Sequence, residues 1–190
     1  MPDYQFSVDW FSRAAIAWNN LLGHLRNQPV QCLEIGSYEG RSAIWLAENI
    51  LTHPDAQLYC IDPWLPMPNL PFDYVGAEAR FDHNRSVCRN GYRIRKLKGT
   101  LRTSAFRFTD ESLDLIYVDG SHEARDVITD FALAFPLLKP DGILIFDDYN
   151  WDEHPQHEYP KAAIDFITHA WAPLLSSVEY NPWQCIVRKK

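Results

Sequence analysis

Nothing in this 190-residue chain approaches a stretch of roughly 18 consecutive apolar residues, and it shows no charged-then-apolar leader. Neither a membrane span nor export is expected, and a cytoplasmic location is the default. Cysteine is sparse: Cys32, Cys60, Cys88 and Cys185 form no CxxC pair, so they read as reduced packing residues and a thiol mechanism lacks support. Positive charge is in deficit as well. The chain has 18 Lys and Arg against 25 Asp and Glu, and its net charge of −7 disfavours nonspecific binding to nucleic acid or an anionic membrane. The basic run from Arg93 to Lys98 reads as a solvated strand edge. Internal repeats and low-complexity tracts are missing too, and the length with 46% hydrophobic residues suits one domain over residues 1–190. Assembly with identical chains stays open.

What is present is an alternation of helical and strand patterns. Val8, Phe11, Ala15, Trp18, Leu22 and Leu25 recur at helical spacing behind a possible Ser7 cap, which predicts an N-terminal helix over 7–26. Val30 to Ile35 reads as a strand, Arg41 to Leu51 as a helix, and Gln57 to Ile61 as a strand ending at Asp62. Four prolines and a tryptophan between Pro63 and Tyr74 predict an irregular loop over 63–75 that covers a site. Helical spacing returns at Ala77, Phe81, Asn84 and Cys88. Strands follow at Ile94 to Lys98, Leu113 to Val118 and Ile143 to Phe146, with a helical stripe from Val127 to Leu138 between the last two. Lys139-Pro-Asp-Gly142 makes the turn into the third of these strands. A helix after Pro160 and two strands, Ser177 to Tyr180 and Trp183 to Arg188, complete the chain. The expected fold is a three-layer α/β sandwich, mostly parallel, with one antiparallel member.

Two places concentrate chemistry. Glu34-Ile-Gly-Ser-Tyr-Glu-Gly-Arg-Ser42 is a strand opening through a glycine turn into a helix, where Gly36 and Gly40 allow close backbone approach and the helix start offers free N–H groups. Ser42 adds a hydroxyl donor. Asp62, at the next strand end, can accept hydrogen bonds from both hydroxyls of a ribose, or stand as a turn aspartate before Pro63. The second place is the end of two apolar runs, one finishing at Asp119 and the other at Asp147-Asp148. Carboxylates from separate strand ends suit a hard divalent cation and leave positions open for water and substrate. The plainer reading is that they cap loops and turns. His122, three residues after Asp119, can take a hydroxyl proton near neutral pH. A structural hydrogen bond at a helix start, or Asp119 itself as the base, are the alternatives.

These residues resemble a known family. The segment from Glu34 to Ser42 is similar to motif I of class I S-adenosylmethionine-dependent methyltransferases, especially the catechol and caffeoyl-CoA type O-methyltransferases. Val118-Asp-Gly-Ser-His122, followed by Pro140-Asp-Gly-Ile-Leu-Ile-Phe-Asp-Asp148, resembles the macrocin-type enzymes more closely. The resemblance covers roughly residues 30 to 150 and implies a Rossmann-like seven-stranded sheet in the order 3-2-1-4-5-7-6 with an antiparallel C-terminal strand. It implies S-adenosylmethionine held by Glu34, Gly36, Tyr38, Gly40, Ser42 and Asp62, with Thr100, Gly120 and Ser121 near adenine. It also implies Mg²⁺ or another divalent cation on Asp119, Asp147 and Asp148, and methyl transfer to a hydroxyl of a small molecule such as a sugar, a glycosylated natural product or a catechol-like phenol. His122 stands where catechol-type enzymes place a lysine base.

Other classes remain in view. An NAD-dependent oxidoreductase would share the sheet and Asp62 but normally shows GxGxxG, whereas Gly36 and Gly40 make a GxxxG spacing. A metal-independent methyltransferase, or a noncatalytic cofactor-binding domain, would keep the glycine turn. His154 and His157 read as solvated loop residues.

Overall fold

The computed structural model describes residues 2–65, 74–151 and 160–190. Its strands are β1 (Gln31–Ile35), β2 (Gln57–Asp62), β3 (Ile94–Lys98), β4 (Leu113–Val118), β5 (Leu138–Phe146), β6 (Leu175–Tyr180) and β7 (Cys185–Lys189). They form one sheet in the order β3-β2-β1-β4-β5-β7-β6. Neighbours β2 and β3 are parallel, as are β4 and β5, whereas β7 runs antiparallel to both β5 and β6. The expected strand order and the single reversed strand are therefore both present. The chain divides into two compact units, Met1–Cys32 with Ser37–Gly99, and Leu33–Gly36 with Thr100–Lys190.

In the first unit, α1 (Ala15–Leu22) continues as one 3-10 turn over Gly23–Leu25. It is shorter than the helix expected over 7–26. The cause lies before Ala15: the Asp9 carboxylate accepts the Ser12 N–H at 2.9 Å, and Ser7, expected to cap the helix, bonds instead to Glu39. Phe11 keeps its apolar role without being helical, packing edge-on to the fully buried Trp18 at 4.9 Å. Helix α2 (Arg41–Asn49) buries Ala43, Ile44, Leu46 and Ala47, and α3 (Tyr74–Val87) buries Ala77, Phe81 and Asn84. Asn84 is a polar member of an otherwise apolar stripe, so it must find hydrogen-bond partners inside. On β3 the two lysines pair with acids of α3, Lys96 with Glu78 and Asp82, and Lys98 with Glu78, while Arg95 donates to Gln57 of β2. Most of the loop expected over 63–75 lies outside the described residues.

The second unit contains α4 (Leu101–Ser104), α5 (Ala124–Ala134) and α6 (Pro160–Ala170) beside β4 to β7. The helical stripe expected to run to Leu138 ends earlier. A 3-10 turn with Pro136 inside it closes α5, and Leu138 is already the first residue of β5. The turn expected at Lys139 to Gly142 becomes an irregularity of that strand. Leu113 pairs with Leu138 and Leu115 with Ile143, so the intervening residues bulge, with Asp141 at φ 61. Phe131 and Phe146 are fully buried in this unit, and each such side chain contributes roughly 1.5–3 kcal/mol. All four cysteines are buried and none is in a disulfide. Among the described residues no helix is long and apolar enough to cross a membrane. His154 and His157 lie outside the described residues.

Candidate active site

The turn after β1 is built from left-handed backbone: Gly36, Tyr38 and Gly40 have φ of 85, 46 and 81. Glycine is required at two of these places by space as well as by φ. A Cβ at Gly36 would lie 2.0 Å from the Asp119 carbonyl oxygen, and one at Gly40 would lie 2.8 Å from the Phe81 ring. Gly40 is the N-cap of α2 and offers no side-chain cap, so the first amides of that helix have no intrahelical partner. Ser42 is buried in that first turn.

Asp62 holds the turn. Its Oδ2 accepts the N–H groups of Ser37 and Tyr38, each at 2.9 Å, and its Oδ1 accepts the Trp64 N–H at 2.6 Å. The Trp64 indole N–H donates to the Tyr38 carbonyl at 2.8 Å. A carboxylate has about four lone-pair sites, so three backbone bonds leave room for about one more.

In the second unit, parallel pairing sets Val118 of β4 against Phe146 of β5, and the Asp147 N–H donates to the Val118 carbonyl at 3.0 Å. Asp119 and Asp147 thus leave adjacent strands at the same level. The hydroxyl of buried Tyr117 joins them, 2.8 Å from Asp119 Oδ2 and in hydrogen-bond contact with Asp147 Oδ2. Burial, then the charges of Asp147 and Asp148, raises the Asp119 carboxyl well above the ordinary carboxylate range, and fully buried Glu34 adds to the effect. Burial, then Asp148, raises Asp147, partly opposed by hydrogen bonds from Tyr117, the Asp148 N–H and Gln184. Burial, then the charges of Asp119 and Asp147, pushes the Tyr117 phenol up in turn.

Asp148 faces elsewhere: its Oδ2 lies 2.7 Å from His122 Nε2. The imidazole stacks on Trp151 with centroids 4.3 Å apart and planes 22° from parallel. A shallow pocket open to solvent is bordered by Asp119, Gly120, His122, Asp147, Asp148 and Pro160. Among the described residues no group of three or more His, Cys, Asp or Glu side chains converges as metal ligands do. The three aspartates are neighbours in charge, while their oxygens are turned to Tyr117 and His122.

Two residues expected near adenine have local tasks. The Thr100 N–H donates to Thr103 Oγ1 at 3.2 Å at the start of α4. Ser121 Oγ donates to Asp126 at 2.8 Å and accepts the Glu123 N–H at 3.2 Å just before α5. Gly120 lies against Ile35. The sequence reading gave no role to Tyr117, Glu39, Trp151 or Gln184. Tyr117 had a signal, since residues two apart on a strand share a face and it precedes Asp119 by two.

A family model described as Methyltransferase domain matches residues 33–149. The chain belongs to this family. An uncharacterized protein of Sinorhizobium fredii is 28% identical over 131 residues, which cover 67% of this chain and 14% of that protein. The MycE methyltransferase of the mycinamycin biosynthetic pathway, solved with Mg and SAH, is 22% identical with a TM-score of 0.63. The match covers 96% of this chain and 51% of MycE, so the chain spans about half the length of that enzyme. An O-methyltransferase from Bacillus cereus, solved with SAH, is 17% identical with a TM-score of 0.68, over 97% of this chain and 84% of that one. At these identities the two structures establish the methyltransferase fold.

Proposed function

We propose that the chain is an S-adenosylmethionine-dependent O-methyltransferase that acts on a hydroxyl of a small molecule, such as a sugar, a glycosylated natural product or a catechol-like phenol. Family membership supports methyl transfer, and the His122–Asp148 pair at the edge of the pocket carries the choice of a hydroxyl acceptor. The cofactor reading is supported by the start of α2, where Gly40 allows close backbone approach and contributes no side chain. The amides of that helix start and the Ser42 hydroxyl can receive the methionine carboxylate, and the remaining acceptor capacity of Asp62 suits one ribose hydroxyl. S-adenosylmethionine, when bound, supplies an electrophilic methyl group on a sulfonium.

The chain's own task is to prepare the acceptor oxygen. A carboxylate only accepts hydrogen bonds, so Asp148 fixes the imidazole hydrogen on Nε2 and leaves the Nδ1 lone pair as the base. Nδ1 would take the proton of an acceptor hydroxyl, whose oxygen would receive the methyl group that the bound cofactor supplies. Trp151 keeps the ring plane fixed during that transfer. Much of the acceleration comes from alignment. Asp119, Asp147 and Asp148 have the donor chemistry for Mg²⁺ or another divalent cation: hard oxygens, and buried like charges that a cation would relieve. Such an ion would be held by these carboxylates alongside their contacts to Tyr117 and His122, and would supply positive charge near the acceptor.

Two measurements test the reading. Calorimetry should show binding of S-adenosylmethionine and S-adenosylhomocysteine and little binding of NAD; tight NAD binding with neither sulfur ligand would sink the cofactor assignment. Hydroxylated acceptors screened with labelled cofactor, with and without Mg²⁺, should yield an O-methyl product that chelator suppresses. Turnover insensitive to chelator, together with no Mn²⁺ anomalous signal among the three aspartates, would rule out the metal-assisted form.

A further inference from the structure

Glu39 lies inside the glycine turn, between Tyr38 and Gly40, with only 2% of its surface exposed. Its carboxylate does not face the helix start. Oε2 accepts the Ser7 N–H at 2.7 Å, Oε1 accepts the Ser7 hydroxyl at 2.6 Å, and Arg80 Nε of α3 donates to Oε1 as well. Buried Asn84 completes the link, its Nδ2 donating to the Glu39 carbonyl and to the Gln5 carbonyl, each at 2.9 Å, while its Oδ1 accepts the Gln5 N–H at 2.6 Å. The segment before α1 is thus strapped across the turn and α3. Further along it, Trp10 packs on the Tyr38 ring at 5.1 Å, and Arg41, the first residue of α2, lies 4.2 Å from the Phe6 ring and 3.4 Å from Asp9.

The strap bears on a strained piece of backbone. Tyr38 is a side-chain-bearing residue at φ 46, a conformation that costs roughly 1–2 kcal/mol and persists only where its surroundings enforce it. Asp62 and Trp64 enforce it from one side. Glu39 and its partners hold the other, and Ser7 is the exposed end of that network. We propose that residues 3–10 are a working part of the cofactor site, with Glu39 as the positioning residue that couples docking of this strap to cofactor affinity. The inference rests on the cofactor reading above. Docking the strap keeps the turn in the shape that presents the α2 amides, and by thermodynamic reciprocity a cofactor on those amides tightens the strap.

Hydrogen exchange of the full chain, read at the amides of Gln5 and Ser7, should slow by roughly tenfold or more when S-adenosylhomocysteine saturates the protein. A residue that served folding alone would give no such ligand-dependent, local protection. Ser7→Pro removes the two donors that Ser7 gives to Glu39, at an exposed position and with Arg80 left in place, and should weaken calorimetric binding of S-adenosylhomocysteine by roughly tenfold, with the folded state retained. Ser7→Thr keeps both donors and should restore it. Glu39→Gln serves as a second variant, with the same loss expected. Wild-type affinity in Ser7→Pro, or ligand binding that leaves the Ser7 amide unprotected, overturns the proposal. Failure of the wild-type protein to bind S-adenosylhomocysteine overturns the cofactor reading and this inference together, so the two failures are distinct.

Discussion

Asp148 Oδ2 lies 2.7 Å from His122 Nε2, while the adjacent Asp147 is joined to the Tyr117 hydroxyl. Neighbouring residues in a strand would point their side chains apart, but here the strand has ended. Asp148 adopts φ 55, a left-handed conformation that aspartate tolerates better than most residues, and its N–H donates to Asp147 Oδ1 at 2.9 Å. The bend gives two successive carboxylates separate tasks. One belongs to the buried acid cluster and the other orients an imidazole.

Replacing His122 with Ala should therefore leave cofactor affinity nearly unchanged, because the contacts of its ring are with Asp148 and Trp151 rather than with the turn that Asp62 holds. Methyl transfer should fall by about 10² to 10⁴, the scale for losing a positioned base. Single-turnover assays on the true acceptor decide it. Near-normal turnover would move the base role to Asp119, and lost cofactor binding would make His122 structural.

The strands of this fold were legible because buried parallel strands are continuous apolar runs, and Leu113 to Val118 and Ile143 to Phe146 are such runs. Their ends bring Asp119 and Asp147 to one level, with Asp148 turned to His122. The N-terminal stripe misled because Phe11 repeats at helical spacing relative to Trp18 yet reaches it through a turn. What holds residues 5–7 is Glu39 and Asn84, distant in sequence, and local periodicity carries no record of such partners. Asp62 was visible as a strand-end acid. Its three backbone donors were not, since they depend on how far the folded turn brings Ser37 and Tyr38.

The acid cluster sets a pH dependence of stability. Asp119 has a folded-state value raised by burial and by the charges of Asp147 and Asp148, so near and above the ordinary carboxylate range the folded chain holds more protons than the unfolded one. Its contribution is fully favourable below about pH 4 and is lost as pH rises through the raised value. Asp119→Asn removes this titration. In metal-free buffer the variant should melt close to wild type near about pH 4 and above it at neutral pH. A variant less stable than wild type at neutral pH would show that the charge of Asp119 is already compensated.

Asp62→Ala tests whether one carboxylate serves both the turn and the cofactor. The substitution strands the N–H groups of Ser37, Tyr38 and Trp64, and each unsatisfied buried donor costs about 1–3 kcal/mol, so urea denaturation should show a substantial loss of stability. Binding of S-adenosylhomocysteine should weaken by about 1–3 kcal/mol through the lost charged hydrogen bond. Asp62→Asn, which keeps one carbonyl oxygen, should fall between wild type and Ala in both. The two losses need not travel together: a variant that is destabilised yet binds the cofactor normally would confine Asp62 to holding the turn, and the ribose would need another acceptor.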